Sequence, residues 1–130
     1  MSRENVEVVR RVYEALSRRD WDEGFSEMSP DFEMTTQRGP NAGTVRRREG
    51  AEAFLEDYIA AFEHVAWEPT ELFEAAEQVV AMVTTRSRPR GSDVDIVTHN
   101  GHLWTFRDGA IVSMRTFPDP RAALEAAGLG

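Results

Sequence analysis

The polar side chains best suited to chemistry lie in one otherwise apolar stretch, THNGHLWTFRDGAIVSMRTF, at residues 98–117. Its first half carries His99, Asn100 and His102, and an imidazole can take up or release a proton near pH 7. Side chains alternate along a β-strand, so His102 shares a face with Asn100 and Trp104, while His99 lies on the opposite face. The stretch therefore predicts one imidazole on the same face of a sheet as the large aromatic side chains.

The same alternation bears on metal binding. His99 and His102 are three residues apart and point to opposite faces of a regular strand, so they do not converge on a zinc ion. Only a bulge at Gly101 would change that arrangement. The sequence contains no cysteine, which excludes disulfides, thiolate metal sites and cysteine nucleophiles. Phosphate-loop, nucleophile-elbow and nucleotide-binding motifs are also missing, so we expect neither a metal nor an organic cofactor.

Length and charge narrow the class of protein further. The chain has 130 residues and a net charge of −8, which is typical of a single domain, here 1–130, with an acidic surface. Such a surface repels phosphate backbones, so nucleic acid is not expected as a partner. No apolar run approaches the ~18 residues of a membrane span, and charges interrupt the N-terminal segment, unlike a signal peptide. We expect a cytoplasmic protein without a membrane partner.

Apolar spacing predicts helices first and strands afterwards. Val9, Val12, Tyr13 and Leu16 recur at helical spacing in the first segment. Asp108-Gly109 is typical of a tight turn between two strands. The predicted elements are a helix over 2–21, a short helix over 21–28 ended by Ser29-Pro30, a strand over 31–36, a loop over 37–45, a helix over 48–62, strands over 65–75, 78–89, 93–106 and 110–117, and a capped helix over 119–128.

This order of elements favours an α+β domain in which helices pack on one face of a curved, mostly antiparallel sheet. A sheet that curls over its helices leaves a cavity wherever the helices do not fill it. Polar side chains on the inner face would then line that cavity.

Two segments resemble a known family. SRENVEVVRRVYEALSRRDWDEGFSEMSPDFEM (2–34) and HLWTFRDGAIVSMRTFPDPRAALEAAGL (102–129) resemble the SnoaL-like branch of the nuclear transport factor 2-like superfamily, and the similarity runs from Met1 to Leu129. The resemblance implies a cone-shaped domain with a pocket inside the curved sheet, and a homodimer formed through the sheet. The superfamily includes ketosteroid isomerases, polyketide cyclases, dehydratases and epoxide hydrolases, so the fold alone does not fix the function.

The family's catalytic positions are compared one at a time. In ketosteroid isomerases, a tyrosine on the first helix and an acid on the long strand bind the developing enolate, and an aspartate after the first short strand moves the proton. These positions correspond here to Val12, His102 and Thr36, with Tyr13 beside Val12 on a different face of the helix. None of the three matches, so steroid isomerisation by that mechanism is not expected. Polyketide cyclases place their acid/base aspartate at the long-strand position, which is again His102.

The resemblance directs His102 into the cone as the candidate catalytic residue and His99 toward the dimer side. A polar group among aromatic side chains is typical of a site that orients a ligand. The residues expected to line the pocket are Tyr13, Phe54, Tyr58, Asn100, Trp104, Phe106, Met114 and Thr116.

Three functions remain open. The first is a binding protein whose apolar pocket holds a small hydrophobic molecule, aromatic or polycyclic. The second is a cyclase, isomerase or dehydratase with His102 as acid/base. The third is a dimeric scaffold whose pocket is filled by its own side chains. The missing acids favour the first over the second.

Overall fold

The computed structural model describes residues 2–36 and 43–130. Helices dominate the first half of the chain and strands the second, as the apolar spacing predicts. The elements are α1 (Ser2–Ser17), α2 (Trp21–Gly24), β1 (Met28–Thr36), β2 (Gly43–Arg46), α3 (Arg47–Ala60), β3 (Phe62–Ala75), β4 (Gln78–Pro89), β5 (Ile96–Arg107), β6 (Ala110–Phe117) and α4 (Pro120–Ala126).

The strands form one curved six-stranded sheet in the order β2-β1-β6-β5-β4-β3. Every neighbouring pair is antiparallel except β1 with β6, which is parallel. The predicted α+β class with a curved, mostly antiparallel sheet is therefore confirmed. Within the described residues, no helix is long and apolar enough to cross a membrane.

Several element boundaries differ from the sequence prediction in the first half of the chain, and the first helix already ends at Ser17. The segment Ser29-Pro30 does not end a helix, because α2 stops at Gly24 and β1 already begins at Met28. Pro30 is tolerated because the β1–β6 register shifts between Met28 and Glu33, where proline's missing N–H is not needed.

The predicted loop over 37–45 is also partly wrong. Residues 43–45 belong to β2, an edge strand paired with the end of β1 from Glu33 to Thr36. Residues 37–42 of that predicted loop lie outside the described part of the chain. The long helix α3 ends at Ala60, two residues earlier than predicted, because Phe62 begins β3.

The local signals at the far end of the chain are confirmed. Asp108 and Gly109 both have positive φ, 54° and 81°, in the turn between β5 and β6. Asp119 caps α4, and its Oδ1 accepts a hydrogen bond from the backbone nitrogen of Arg121 at 2.9 Å. Pro120 occupies the start of that helix.

Gly101 permits a close contact on the outer face of the sheet. A Cβ at this position would lie 2.6 Å from the Cβ of Ala123 in α4. The register between β4 and β5 runs without a shift past Gly101, so this glycine does not mark a bulge. Because α4 covers part of this second face, the expectation that helices cover only one face is wrong.

Candidate functional site

A cavity of about 870 Å³ lies between the inner face of the sheet and the helices α1 and α3. Its inner end is buried, whereas Asp57, Val97 and Pro118 at its outer end are exposed. Eight of the nine residues singled out from the sequence border this cavity: Tyr13, Phe54, Tyr58, Asn100, His102, Trp104, Met114 and Thr116.

Phe106 is the exception and corrects the predicted lining. It is 2 % exposed and packs in the hydrophobic core, but it does not border the cavity. Alternation along β5 places it on the same face as Trp104. The face is thus as predicted, but the cavity ends before the strand does.

The floor of the cavity, defined here as Tyr13, His102 and Trp104, is a hydrogen-bonded unit of three aromatic rings. The Tyr13 hydroxyl lies 2.6 Å from Nδ1 of His102, and Nε1 of Trp104 donates to the same hydroxyl at 3.1 Å. The Tyr13 ring stacks on the His102 ring and meets Trp104 edge-on. These contacts hold His102 against α1 at the buried end of the cavity.

Tyr13 reaches the floor because α1 buries a broad arc of its surface. Val12 and Tyr13 are adjacent, yet both are buried, at 2 % and 3 % exposure. Of these two residues, Tyr13 borders the cavity, as expected, and it is the side chain that bonds His102. The chain thus has a first-helix tyrosine at the cavity, one residue after the position expected from the resemblance.

Burial sets the protonation of the floor. It lowers the pKa of His102 from 6.5 to about 4, because an imidazolium loses its hydration in this environment. Burial also raises the pKa of Tyr13, and the hydrogen bond from Trp104 partly opposes that change. Both groups are therefore neutral at pH 7.

The remaining ring nitrogen of His102, Nε2, is open to the cavity. It makes no hydrogen bond to another described residue. Among residues 2–36 and 43–130, no buried side-chain nitrogen or oxygen lacks a partner. Nε2 is therefore not sealed, and since His102 borders the cavity, the accessible side faces that space.

A second polar group lies between the floor and the outer end. The Oδ1 atom of Asn100 accepts hydrogen bonds from Thr98 at 3.2 Å and from Thr85 at 3.4 Å. Asn100 thus engages threonines and not His102. The His102 ring is bonded by Tyr13 instead.

The outer end of the cavity, called the mouth here, is aromatic. Tyr58 lies at the centre, with ring centroids 5.1 Å from Phe62 and 6.4 Å from both Phe54 and Trp67. Burial raises the pKa of Tyr58. The guanidinium of Arg19 sits over Trp67, 5.5 Å from its ring centroid.

Several lining residues escaped the sequence analysis. Trp67 and Thr85 border the cavity and are register partners in β3 and β4. Alternation counted from His102 through the β4–β5 register would have placed Thr85 on the inner face. Phe62 and Asp57 had no comparable signal.

His99 lies on the outer face, as alternation predicts. Its Nδ1 is 3.1 Å from the Thr84 hydroxyl, and both residues face away from Asn100. His99 also borders the mouth of the cavity and is exposed. The two histidines of β5 therefore do not converge.

Solved structures share this fold. TerC, co-crystallised with polyporic acid, is 25% identical over 95% of this chain and 98% of TerC, with a TM-score of 0.81. A protein of ketosteroid isomerase-like fold from Catenulispora acidiphila, in complex with trimethylamine, is 17% identical over 95% of this chain and 94% of that chain, with a TM-score of 0.77.

A third structure, assigned as a SnoaL-like polyketide cyclase from Jannaschia sp., is 20% identical over 99% of this chain and 94% of that chain, with a TM-score of 0.77. The last two similarities show the fold alone. No curated protein matches the sequence. The model of the SnoaL-like domain matches residues 9–114, most of the chain. The chain therefore belongs to the SnoaL-like domain family.

Proposed function

We propose that this protein binds a small, largely apolar ring compound in the cavity. The observation that carries the proposal is the cavity itself, about 870 Å³ of space inside the sheet with a buried floor and an aromatic mouth. Ligand sites of this size combine apolar walls with a few placed polar groups. Here Nε2 of His102 is such a group at the floor.

The walls favour a flat ring. Tyr58, Phe54 and Trp67 present stacked aromatic surfaces at the mouth, and Met34 and Met114 border the same space. Aromatic rings stack favourably, and methionine side chains adapt to irregular shapes. The similarity to TerC, which was crystallised with polyporic acid, supports a ligand in this space.

An enzyme of the cyclase, isomerase or dehydratase type is the second candidate. The family is associated with polyketide cyclase and isomerase activity, and His102 contacts Tyr13 at the floor. The lowered pKa of His102, about 4, weakens it as an acid/base at pH 7, because roughly one molecule in a thousand would carry the imidazolium. Binding is therefore the better supported function.

The scaffold alternative requires an interior filled by the protein's own side chains. A cavity of about 870 Å³ that reaches exposed residues argues against it. Deciding among the three functions needs a measurement of ligand binding.

Fluorescence of Trp104 provides that measurement. The sequence has three tryptophans, so a Trp21→Phe/Trp67→Phe variant leaves Trp104, at the floor, as the only tryptophan. We expect saturable changes in its emission with naphthalene, fluorene or fluorenone at micromolar concentrations. A flat response to all three compounds contradicts the proposal.

Two adjacent threonines supply the control. Thr85 borders the cavity and Thr84 faces outward. We expect Thr85→Phe to fill space and abolish the response, and Thr84→Phe to leave it intact. An equal response in both variants would mean that the compounds bind elsewhere.

A further inference from the structure

Trp104, Tyr13 and His102 form a chain of hydrogen bonds at the floor, and Trp104 and Tyr13 each have one polar proton to donate. Trp104 Nε1–H can only donate, so the Tyr13 oxygen accepts from it. Tyr13 has one hydroxyl proton to give, and its second contact, at 2.6 Å, is Nδ1 of His102. The tautomer of His102 decides whether that proton has an acceptor.

Only one tautomer satisfies every group. If Nδ1 carries no proton, Tyr13 donates to Nδ1 while it accepts from Trp104, and each polar atom of Tyr13 is used. If Nδ1 is protonated, it donates to the Tyr13 oxygen, and the Tyr13 proton then finds no acceptor among the residues that the structure describes. Tyr13 is 3 % exposed, and an unpaired buried hydroxyl is costly.

The proton of a neutral His102 then lies on Nε2, the nitrogen open to the cavity. A neutral imidazole with a protonated Nε2 offers a donor at that atom and no acceptor. At Nε2, the floor therefore donates a hydrogen bond to a ligand in the cavity and accepts none.

We infer that Tyr13, itself held by Trp104, locks His102 in the Nε2-protonated tautomer, so that the buried end of the ligand carries a hydrogen-bond acceptor and not a donor. Tyr13 and Trp104 act here as positioning residues, since they reach the ligand's acceptor atom only through His102. The ligand class rests on the proposed function, whereas the tautomer does not.

The tautomer can be measured without a ligand. Nitrogen-15 shifts of the His102 ring distinguish a protonated from an unprotonated nitrogen, and the signals are assigned by their loss in His102→Gln. At pH 7 we expect a protonated Nε2 and a bare Nδ1. A protonated Nδ1 in the parent protein overturns the inference.

Tyr13→Phe tests what sets the tautomer. Without the hydroxyl, Nδ1 loses its donor, and we expect the ring signals to move toward a mixture of both tautomers. Tyr58→Phe is the matched control, because Tyr58 is the only other tyrosine and also borders the cavity. If Tyr13→Phe does not fold, the nitrogen-15 shift of Nδ1 in the parent protein tests the same lock, since a bare Nδ1 that accepts the Tyr13 proton resonates upfield of a bare ring nitrogen without a donor. An unchanged ring in the folded variant rejects the lock.

Three tricyclic compounds of one shape test the ligand class. Fluorenone carries a carbonyl, fluorene a methylene and carbazole an N–H at the same ring position. We expect fluorenone to bind about tenfold more tightly than fluorene, the worth of one hydrogen bond, and carbazole to bind most weakly. In Tyr13→Phe the preference for fluorenone over carbazole should shrink, and in Tyr58→Phe it should persist.

The outcomes separate the two proposals. Failure of all three compounds to bind, with Nε2 protonated, rejects the proposed function and leaves the tautomer standing. Binding with carbazole equal to or above fluorenone rejects the inferred ligand class and leaves the proposed function standing. Loss of the preference in Tyr58→Phe would assign the donor to Tyr58 and reject the role of His102.

Discussion

The two halves of β5 are both rich in apolar residues but differ sharply in burial. Ile96 and Val97 at its start are 47% and 43% exposed, whereas Leu103 and Trp104 further along are 3% and 2% exposed. The second half is covered on both faces, since Tyr13 of α1 contacts Trp104 on the inside and Ala123 of α4 lies against Gly101 on the outside. The first half forms part of the exposed surface.

This contrast separates two kinds of position. Where both faces are covered, each side chain must match its neighbours, so His102 can be held in one orientation by Tyr13. Where one face is open, apolar residues such as Ile96 are available to a partner. The candidate chemistry lies in the first environment, and a surface for association lies in the second.

The largest expected effect on stability comes from adding a methyl group at Gly101, where the covered half of β5 lies closest to α4. Gly101→Ala would place a Cβ 2.6 Å from Ala123 Cβ and 3.1 Å from the backbone of Pro120. Since backbone cannot yield as a flexible side chain does, we expect a loss of about 3 kcal/mol in the free energy of unfolding. Chemical denaturation measures it.

Gly50→Ala is the control for that substitution. A Cβ at Gly50, inside α3, would lie 3.9 Å from its nearest neighbour, the Cβ of Val45. Because alanine suits a helix interior better than glycine, we expect the free energy of unfolding to rise by about 0.5–1 kcal/mol. A Gly101→Ala protein as stable as the parent would show that α4 does not press on β5.

The next largest effect depends on pH. In the unfolded chain, His102 has its ordinary pKa of 6.5, whereas in the folded protein its pKa is about 4. The unfolded state therefore binds more protons between these values, and stability falls as the pH falls from about 6.5 to 4. We expect the titration of His102 to lower the free energy of unfolding by about 2 kcal/mol between pH 7 and pH 5.

Carboxylates also titrate in that range, so the measurement is a difference between variants. Denaturation at pH 7 and pH 5 should show a shallower loss in His102→Gln than in the parent protein. His99→Gln removes an exposed imidazole from the same strand and should keep the parent's slope. Equal slopes in all three proteins would show that folding does not lower the pKa of His102.

Much of this fold follows from local sequence signals, and the remainder depends on pairing between distant segments. The Asp108-Gly109 turn and the Asp119 cap follow from backbone and side-chain chemistry within a few residues. The edge strand β2 does not, because only its pairing with β1 makes Gly43–Arg46 extended. Local propensity carries no information about such a partner.

The same distinction applies to the cavity. Alternation along β5 placed His102, Asn100 and Trp104 on one face, and the structure has them there. The Tyr13–His102 bond joins residues 89 apart in sequence, so no spacing could reveal it. Alternation also identifies the face of the sheet on which a side chain lies, but not how far along the strand the cavity extends. Phe106 was therefore wrongly included in the lining.

A smaller loss of stability is expected from His102→Ala. An open cavity alone would suggest no cost, but the substitution leaves the buried Tyr13 hydroxyl without its acceptor. Because cavity water can reach the vacated site and accept that proton, the cost lies at the lower end for an unpaired polar group, about 1 kcal/mol. Thermal denaturation beside His99→Ala, where no buried partner is lost, measures the difference.

The smallest effect on stability, with the largest effect on assembly, concerns the exposed half of β5. We propose that the protein is a homodimer formed through the sheet, with Val94, Ile96 and Val97 in the contact, because their exposed apolar surface is what an interface buries. Light scattering should give twice the 14.7 kDa of one chain.

Ile96→Asp should give the monomer mass while changing the stability of the isolated chain by no more than about 0.5 kcal/mol. Leu129→Asp alters a comparably exposed apolar residue, 44% exposed, which lies after α4 and outside β5, and it should leave the dimer intact. A parent protein of monomer mass at micromolar concentration refutes the dimer, and a dimer that persists in Ile96→Asp moves the interface away from β5.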